Sequence, residues 1–134
     1  VEATTSQKCK QKDYTIDTIN MKTKKVTYKI PLYYGELVIL QGKNNKSFPK
    51  KYDLSGTKGY AACTFKDHKK DGSTRYVVIF FGKAEISTIA HEALHVVNQI
   101  FDDRLIYPDL KNDEPQAYLI GWVVSKCCNF LQVK

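Results

Sequence analysis

With 134 residues, 43% of them hydrophobic, the chain is long enough for one domain to bury a core without metal or disulfide staples. No apolar run approaches the roughly 18 residues needed to cross a bilayer as a helix, and residues 1 to 30 lack the apolar centre of a signal peptide, so a soluble chain with no membrane partner is expected. The net charge of +7 is uneven, +9 over residues 1–75 and −2 over residues 76–134.

The basic half suits a polyanion, and a nucleic-acid partner stays open as a minor reading. Its lysines are scattered through turns such as Lys22-Thr-Lys24-Lys25 and Lys43-Asn-Asn-Lys46, with no basic-aromatic motif of a known reader, so solubility explains them better. Cys9, Cys63, Cys127 and Cys128 include no C-x-x-C pair and are read as reduced thiols. Cys63 with His68 is a weaker metal half-site. The chain does not begin with Met, so whether a leader was removed stays open.

Residues 1–12 carry no apolar period and are expected to form a flexible arm, leaving 13–134 as a single domain. Tyr14 to Ile19 and Val26 to Ile30 alternate apolar and polar side chains around a lysine-rich turn and predict a hairpin. Pro31 ends the second strand because it cannot donate to a ladder. Glu36 to Leu40 is a third strand, more continuously apolar and therefore more central. A long polar connection, 43–57, follows. Tyr60 to Phe65 and Arg75 to Phe81 bracket a turn and should pair antiparallel. The latter leads through Gly82 and Lys83 into the most informative stretch.

That stretch is Ile86 to Phe101. Ile86, Ala90, Ala93, Val97 and Ile100 or Phe101 recur at intervals of three and four, the period of a helix with one buried stripe. His91 and His95 are four residues apart, so their rings can converge on one ion, while Glu92 stands about 100° around the axis. Two imidazoles bind Zn²⁺, and the neighbouring carboxylate can take a proton from water without itself being a ligand. With 3 His in the chain, this H-E-x-x-H arrangement would arise by chance in roughly 0.2% of such compositions. The bland reading is two surface histidines and a glutamate on the polar side of an amphipathic helix.

A second helix should start at Asn112 or Asp113, with Pro115 in its first turn, and run to about Phe130. Its inward stripe is expected to be Ala117, Ile120, Gly121, Val124, Cys128 and Leu131. A catalytic zinc site needs a third protein ligand. Glu114, 19 residues after His95, is the best candidate, with small Ala117 and Gly121 allowing the two helices to approach closely. Asp113 is its nearest rival, and Asp102, Asp103, Asp109 and His68 come after it, the last because it falls on a hairpin turn.

His91-Glu92-x-x-His95 together with Asn112-Asp113-Glu114-Pro-Gln-Ala117-Tyr118-Leu-Ile-Gly121-Trp122 resembles the small gluzincin-type metallopeptidases, particularly compact phage and prophage versions, over about residues 75–131. The resemblance implies an α+β fold: a small, mostly antiparallel sheet packed against the histidine helix and a C-terminal helix, with an edge strand able to hold an extended peptide. It implies His91, His95 and Glu114 as zinc ligands and Glu92 as general base.

The expected function is therefore zinc-dependent hydrolysis of a peptide bond in a protein or peptide substrate, by a monomer in the cytoplasm or a virion. Tyr118, Tyr107 and His68 are candidate donors to the oxyanion. The alternative, of a different class, is a zinc-binding but catalytically silent module, such as a virion component or an inhibitor of a host protein.

Overall fold

The computed structural model describes the backbone of residues 6–7, 14–20 and 23–134 and the side chains from residue 23 onward. Six strands, β1 (Ser6–Gln7), β2 (Tyr14–Asn20), β3 (Thr23–Lys29), β4 (Glu36–Gly42), β5 (Ala62–His68) and β6 (Thr74–Phe81), precede two helices, α1 (Ile86–Asp103) and α2 (Glu114–Leu131). The class is α+β, as expected. The strands form one sheet in the order β1-β2-β3-β4-β6-β5. All neighbours are antiparallel except β4 and β6, which run parallel with Glu36 opposite Arg75 and Gly42 opposite Phe81. Ser6 and Gln7 lie within the expected arm yet pair with Asp17 and Ile16 of β2; the remainder of that arm falls outside the described residues.

The near-continuous apolar runs of β4 and β6 are explained by burial on both faces of the sheet. Leu37, Ile39, Tyr76, Val78 and Phe80 point toward α1 and α2. On the opposite face Val38, Leu40, Val77 and Ile79 are covered by Phe48, Tyr52 and Leu54 from the polar-looking 43–57 connection. Three apolar anchors suffice for that cover. The tight passage from β3 into β4 depends on Gly35, at φ +88°, where an added Cβ would come within 2.9 Å of the Thr74 carbonyl.

α1 buries Ile89, Glu92, Ala93, Val96, Val97, Ile100 and Phe101. The helix and its period agree with expectation, but its phase is turned: Ile86 and Ala90 are exposed and Ile89 takes their place. At its far end Asp103 accepts hydrogen bonds from the Tyr76 hydroxyl (2.6 Å) and Lys66 Nζ (2.9 Å). This ties the last turn of α1 to both β6 and β5. Burial alone would raise the Asp103 carboxyl, but those two hydrogen bonds and the charges of Lys66 and Arg104 outweigh it and hold the group below the usual value.

α2 starts where expected, with Asp113 preceding it and Pro115 in its first turn. Its fully buried stripe is Leu119, Val123 and Cys127; of the predicted stripe, Ile120, Val124, Cys128 and Leu131 are half-buried along its edge and pack against the same core, while Ala117 and Gly121 do not. Ala117 and Gly121 are exposed, and Gly121 has open space where a side chain would be. The physical reason is volume: the larger Leu119 and Val123 remove more apolar area from water than Ala117 and Gly121 would, so the helix rolls to bury them. No helix among the described residues is long and apolar enough to cross a membrane.

Candidate metal and catalytic site

β5 is the last strand of the sheet, and α1 packs beside it. Between them lies an open cavity of about 750 Å³ whose lining includes Tyr60, Thr64 and Lys66 from the strand side and His91, Glu92, His95 and Asn98 from the helix. The mixture of half-buried and exposed residues along β5 marks a strand with one flank unpaired among the described residues.

The two imidazoles converge. His91 Nε2 and His95 Nε2 are 3.1 Å apart, with ring planes at 77°. Two nitrogens at 3.1 Å, each about 2.05 Å from a shared Zn²⁺, would subtend roughly 100°, close to a tetrahedral angle. Both residues are exposed on their outer side, so the pair faces the cavity and solvent. In that respect the donor set fits a zinc ion.

Glu92 is 6% exposed, unusual for a carboxylate. Its Oε2 accepts a hydrogen bond from the Thr64 hydroxyl of β5, which fixes the side chain in the lining of the same cavity as the histidines and leaves Oε1 as the other acceptor. Glu92 also acts on its surroundings. Burial pushes the neighbouring Cys63 thiol up to about 11, and the negative charge of Glu92 adds to that rise. Cys127 of α2 is pushed up to about 12 by burial first, then by Cys128 and Glu92. Cys63, Cys127 and Cys128 are all free thiols.

Glu114 is not brought to the histidine pair. It is exposed and lines a separate, largely apolar groove of about 580 Å³ with Pro31, Tyr33, Tyr118 and Trp122. At 100° per residue it lies roughly 180° from the centre of the Leu119, Val123, Cys127 stripe, whereas Gln116 lies within about 20° of it. Gln116 accordingly reaches α1, its Nε2 donating to Asn98 Oδ1 at 3.2 Å, three residues past His95. The roll that buried Leu119 exchanged a carboxylate for an amide. Among the described residues no group of three or more His, Cys, Asp or Glu is placed to hold one ion.

The three oxyanion candidates are also elsewhere. His68 closes β5, exposed, with Nδ1 3.4 Å from Thr74 Oγ1. Cys63 and His68 are five apart on that strand and so face opposite sides of it. Tyr118 lines the apolar groove, and Tyr107 is 86% exposed on the connection between the helices. Besides the histidines and Glu92, the polar side chains lining the cavity are Tyr60, Thr64, Lys66, Asn98, Gln99 and Asp102. None has a motif; only the packing of the edge strand against α1 reveals them.

In comparisons with known proteins, no family model, curated protein or solved structure matches the chain.

Proposed function

We propose that the protein is a metal-dependent peptide hydrolase, with zinc the ion its donors suit. One observation carries the reading: two histidine Nε2 atoms 3.1 Å apart in the lining of a cavity that they share with a buried glutamate braced by Thr64. Surface histidines without a task do not require a carboxylate buried beside them.

Each of this chain's groups has a part. His91 Nε2 and His95 Nε2 would hold the ion. Bound there, it would supply Lewis acidity, making water nucleophilic near neutral pH and polarising a carbonyl. Glu92 accepts the proton of the attacking water on its free oxygen Oε1 and passes it to the departing amine nitrogen. Thr64 keeps that carboxylate from turning away. The unpaired flank of β5 offers backbone donors and acceptors to an extended peptide, which would lie across the cavity. Asn98 and Tyr60 supply polar hydrogens along the same path.

The test is Glu92→Gln, which preserves shape and both imidazoles while removing the base. The variant should bind zinc as the parent does and lose turnover by 10²-fold or more in a chelator-sensitive peptide-cleavage assay. Undiminished, chelator-sensitive cleavage by this variant would dispose of the mechanism. A second reading, a zinc-bearing module without chemistry, is favoured by Glu114 standing apart from the pair. Zinc that raises the melting temperature of a protein cleaving no peptide would select it.

A further inference from the structure

Beside the histidine cavity lies a second cleft, of about 440 Å³, formed where the 43–46 turn meets the 57–60 segment. Its lining includes Lys43, Lys46 and Lys58, with Asn45, Thr57 and the ring of Tyr60, and no Asp or Glu. The ion pairs among the described residues join Lys66, Lys69 and Arg75 to acids, and these three lysines are in none of them. Three like charges around one concavity repel one another and create a positive potential that an anion entering the cleft relieves.

Its position gives the cleft a meaning. Tyr60, 58% exposed, lines both this cleft and the histidine cavity. Phe81 N donates to the Ala61 carbonyl at 3.0 Å, so the chain just before β5 continues the line of the strand. Thr64, the partner of Glu92, is four residues from Tyr60, about 13 Å at 3.3 Å per residue. An extended peptide lying along β5 with its reacting bond near Glu92 would therefore place a side chain three or four residues away between the lysines.

We propose that Lys43, Lys46 and Lys58 form a subsite for an acidic side chain, Asp or Glu, three or four residues from the cleaved bond, so that the substrates are acidic peptide segments. The inference rests on the hydrolase reading for its chemistry, but the charge recognition can be measured apart from it. Lysine suits the role, being a compact charge on a flexible stem that meets a carboxylate without demanding a fixed planar approach.

The experiment uses the full chain with zinc and matched peptides carrying Glu, Gln or Lys at each position up to five residues on either side of the cleaved bond. The expected result is a preference for Glu over Gln of about fivefold in kcat/KM at one position three or four residues away, with Lys worst. The preference should shrink as salt is added and fall to about one in Lys43→Gln/Lys58→Gln, with Lys46→Gln giving an intermediate value. Cleavage without any such preference, or a preference kept intact in the double variant, overturns the subsite and leaves the hydrolase reading standing.

If no peptide is cleaved, the hydrolase reading fails by itself, and fluorescence anisotropy of labelled acidic and neutral peptides decides the subsite. Salt-sensitive binding of the acidic peptide that is lost in the double variant supports it, and equal affinities overturn it. Tighter, lysine-dependent binding of a DNA oligonucleotide than of the acidic peptide also overturns it, in favour of a polyanion surface.

Discussion

Replacing Thr64 with valine removes one hydroxyl and adds one methyl at the point where β5 touches Glu92. The two side chains have nearly the same shape, so the effect reports on the lost hydrogen bond. Glu92 is 6% exposed, and water cannot readily substitute for the missing donor. Leaving a buried carboxylate oxygen without its partner costs about 1–3 kcal/mol. Taking about 2 kcal/mol, the melting temperature should fall by roughly 8 °C in a domain of this size. Urea denaturation gives the free energy directly. The same substitution in a Glu92→Ala background should cost less than about 0.5 kcal/mol, because no carboxylate remains to be orphaned, and the cycle isolates the coupling. Turnover, if the base is positioned by this contact, should drop by about 10–100-fold, with KM little changed and with Thr64→Ser restoring most of it. A Thr64→Val protein as stable as the parent, or one equally destabilised with and without Glu92, would refute the idea that this hydroxyl braces a buried charge.

Three further outcomes follow from the same geometry. Zinc titration should show a single site lost in His91→Ala and in His95→Ala; equal affinity in Glu114→Gln would place that residue outside the ligand set, whereas a loss of 10-fold or more would mean that the first turn of α2 reorients on metal binding. With its thiol raised to about 11, Cys63 should react with iodoacetamide at pH 8 about 100-fold more slowly than an ordinary exposed cysteine, as read by mass spectrometry of the modified peptide; comparable rates would contradict its packing against the core on the sheet face away from α1. Asp103 has a folded-state pKa below its unfolded value, so its contribution is fully present above about pH 4 and is lost as pH falls through the folded value. Tyr76→Phe should therefore cost about 1.5 kcal/mol at pH 7 and progressively less in acid, and a cost independent of pH would contradict the pairing.

Much of the architecture was legible in residue order. The existence and order of the strands from Tyr14 onward, the antiparallel pairing of β5 with β6, the length of α1 and the Pro115-marked start of α2 all follow from alternation, helical period and turn chemistry, which are local properties of the chain, although β5 runs Ala62–His68 into the expected turn rather than Tyr60 to Phe65. The H-E-x-x-H spacing likewise puts His91 and His95 on one face of α1 wherever that helix sits, because four residues are little more than a turn.

What the tertiary structure decided was rotation and adjacency. The period of α2 does not say which of several apolar stripes turns inward; packing against α1 chose Leu119, Val123 and Cys127, and with that choice carried Glu114 outward and Gln116 inward. The order β4-β6-β5 places an edge strand next to the histidines and its lysine-lined approach next to Tyr60, bringing together residues 43, 58, 64 and 92 that no local pattern links. Spacing along a helix is set by backbone geometry, which sequence carries; the roll of a helix and the neighbour of a strand are set by how whole surfaces fit, which only the assembled core expresses.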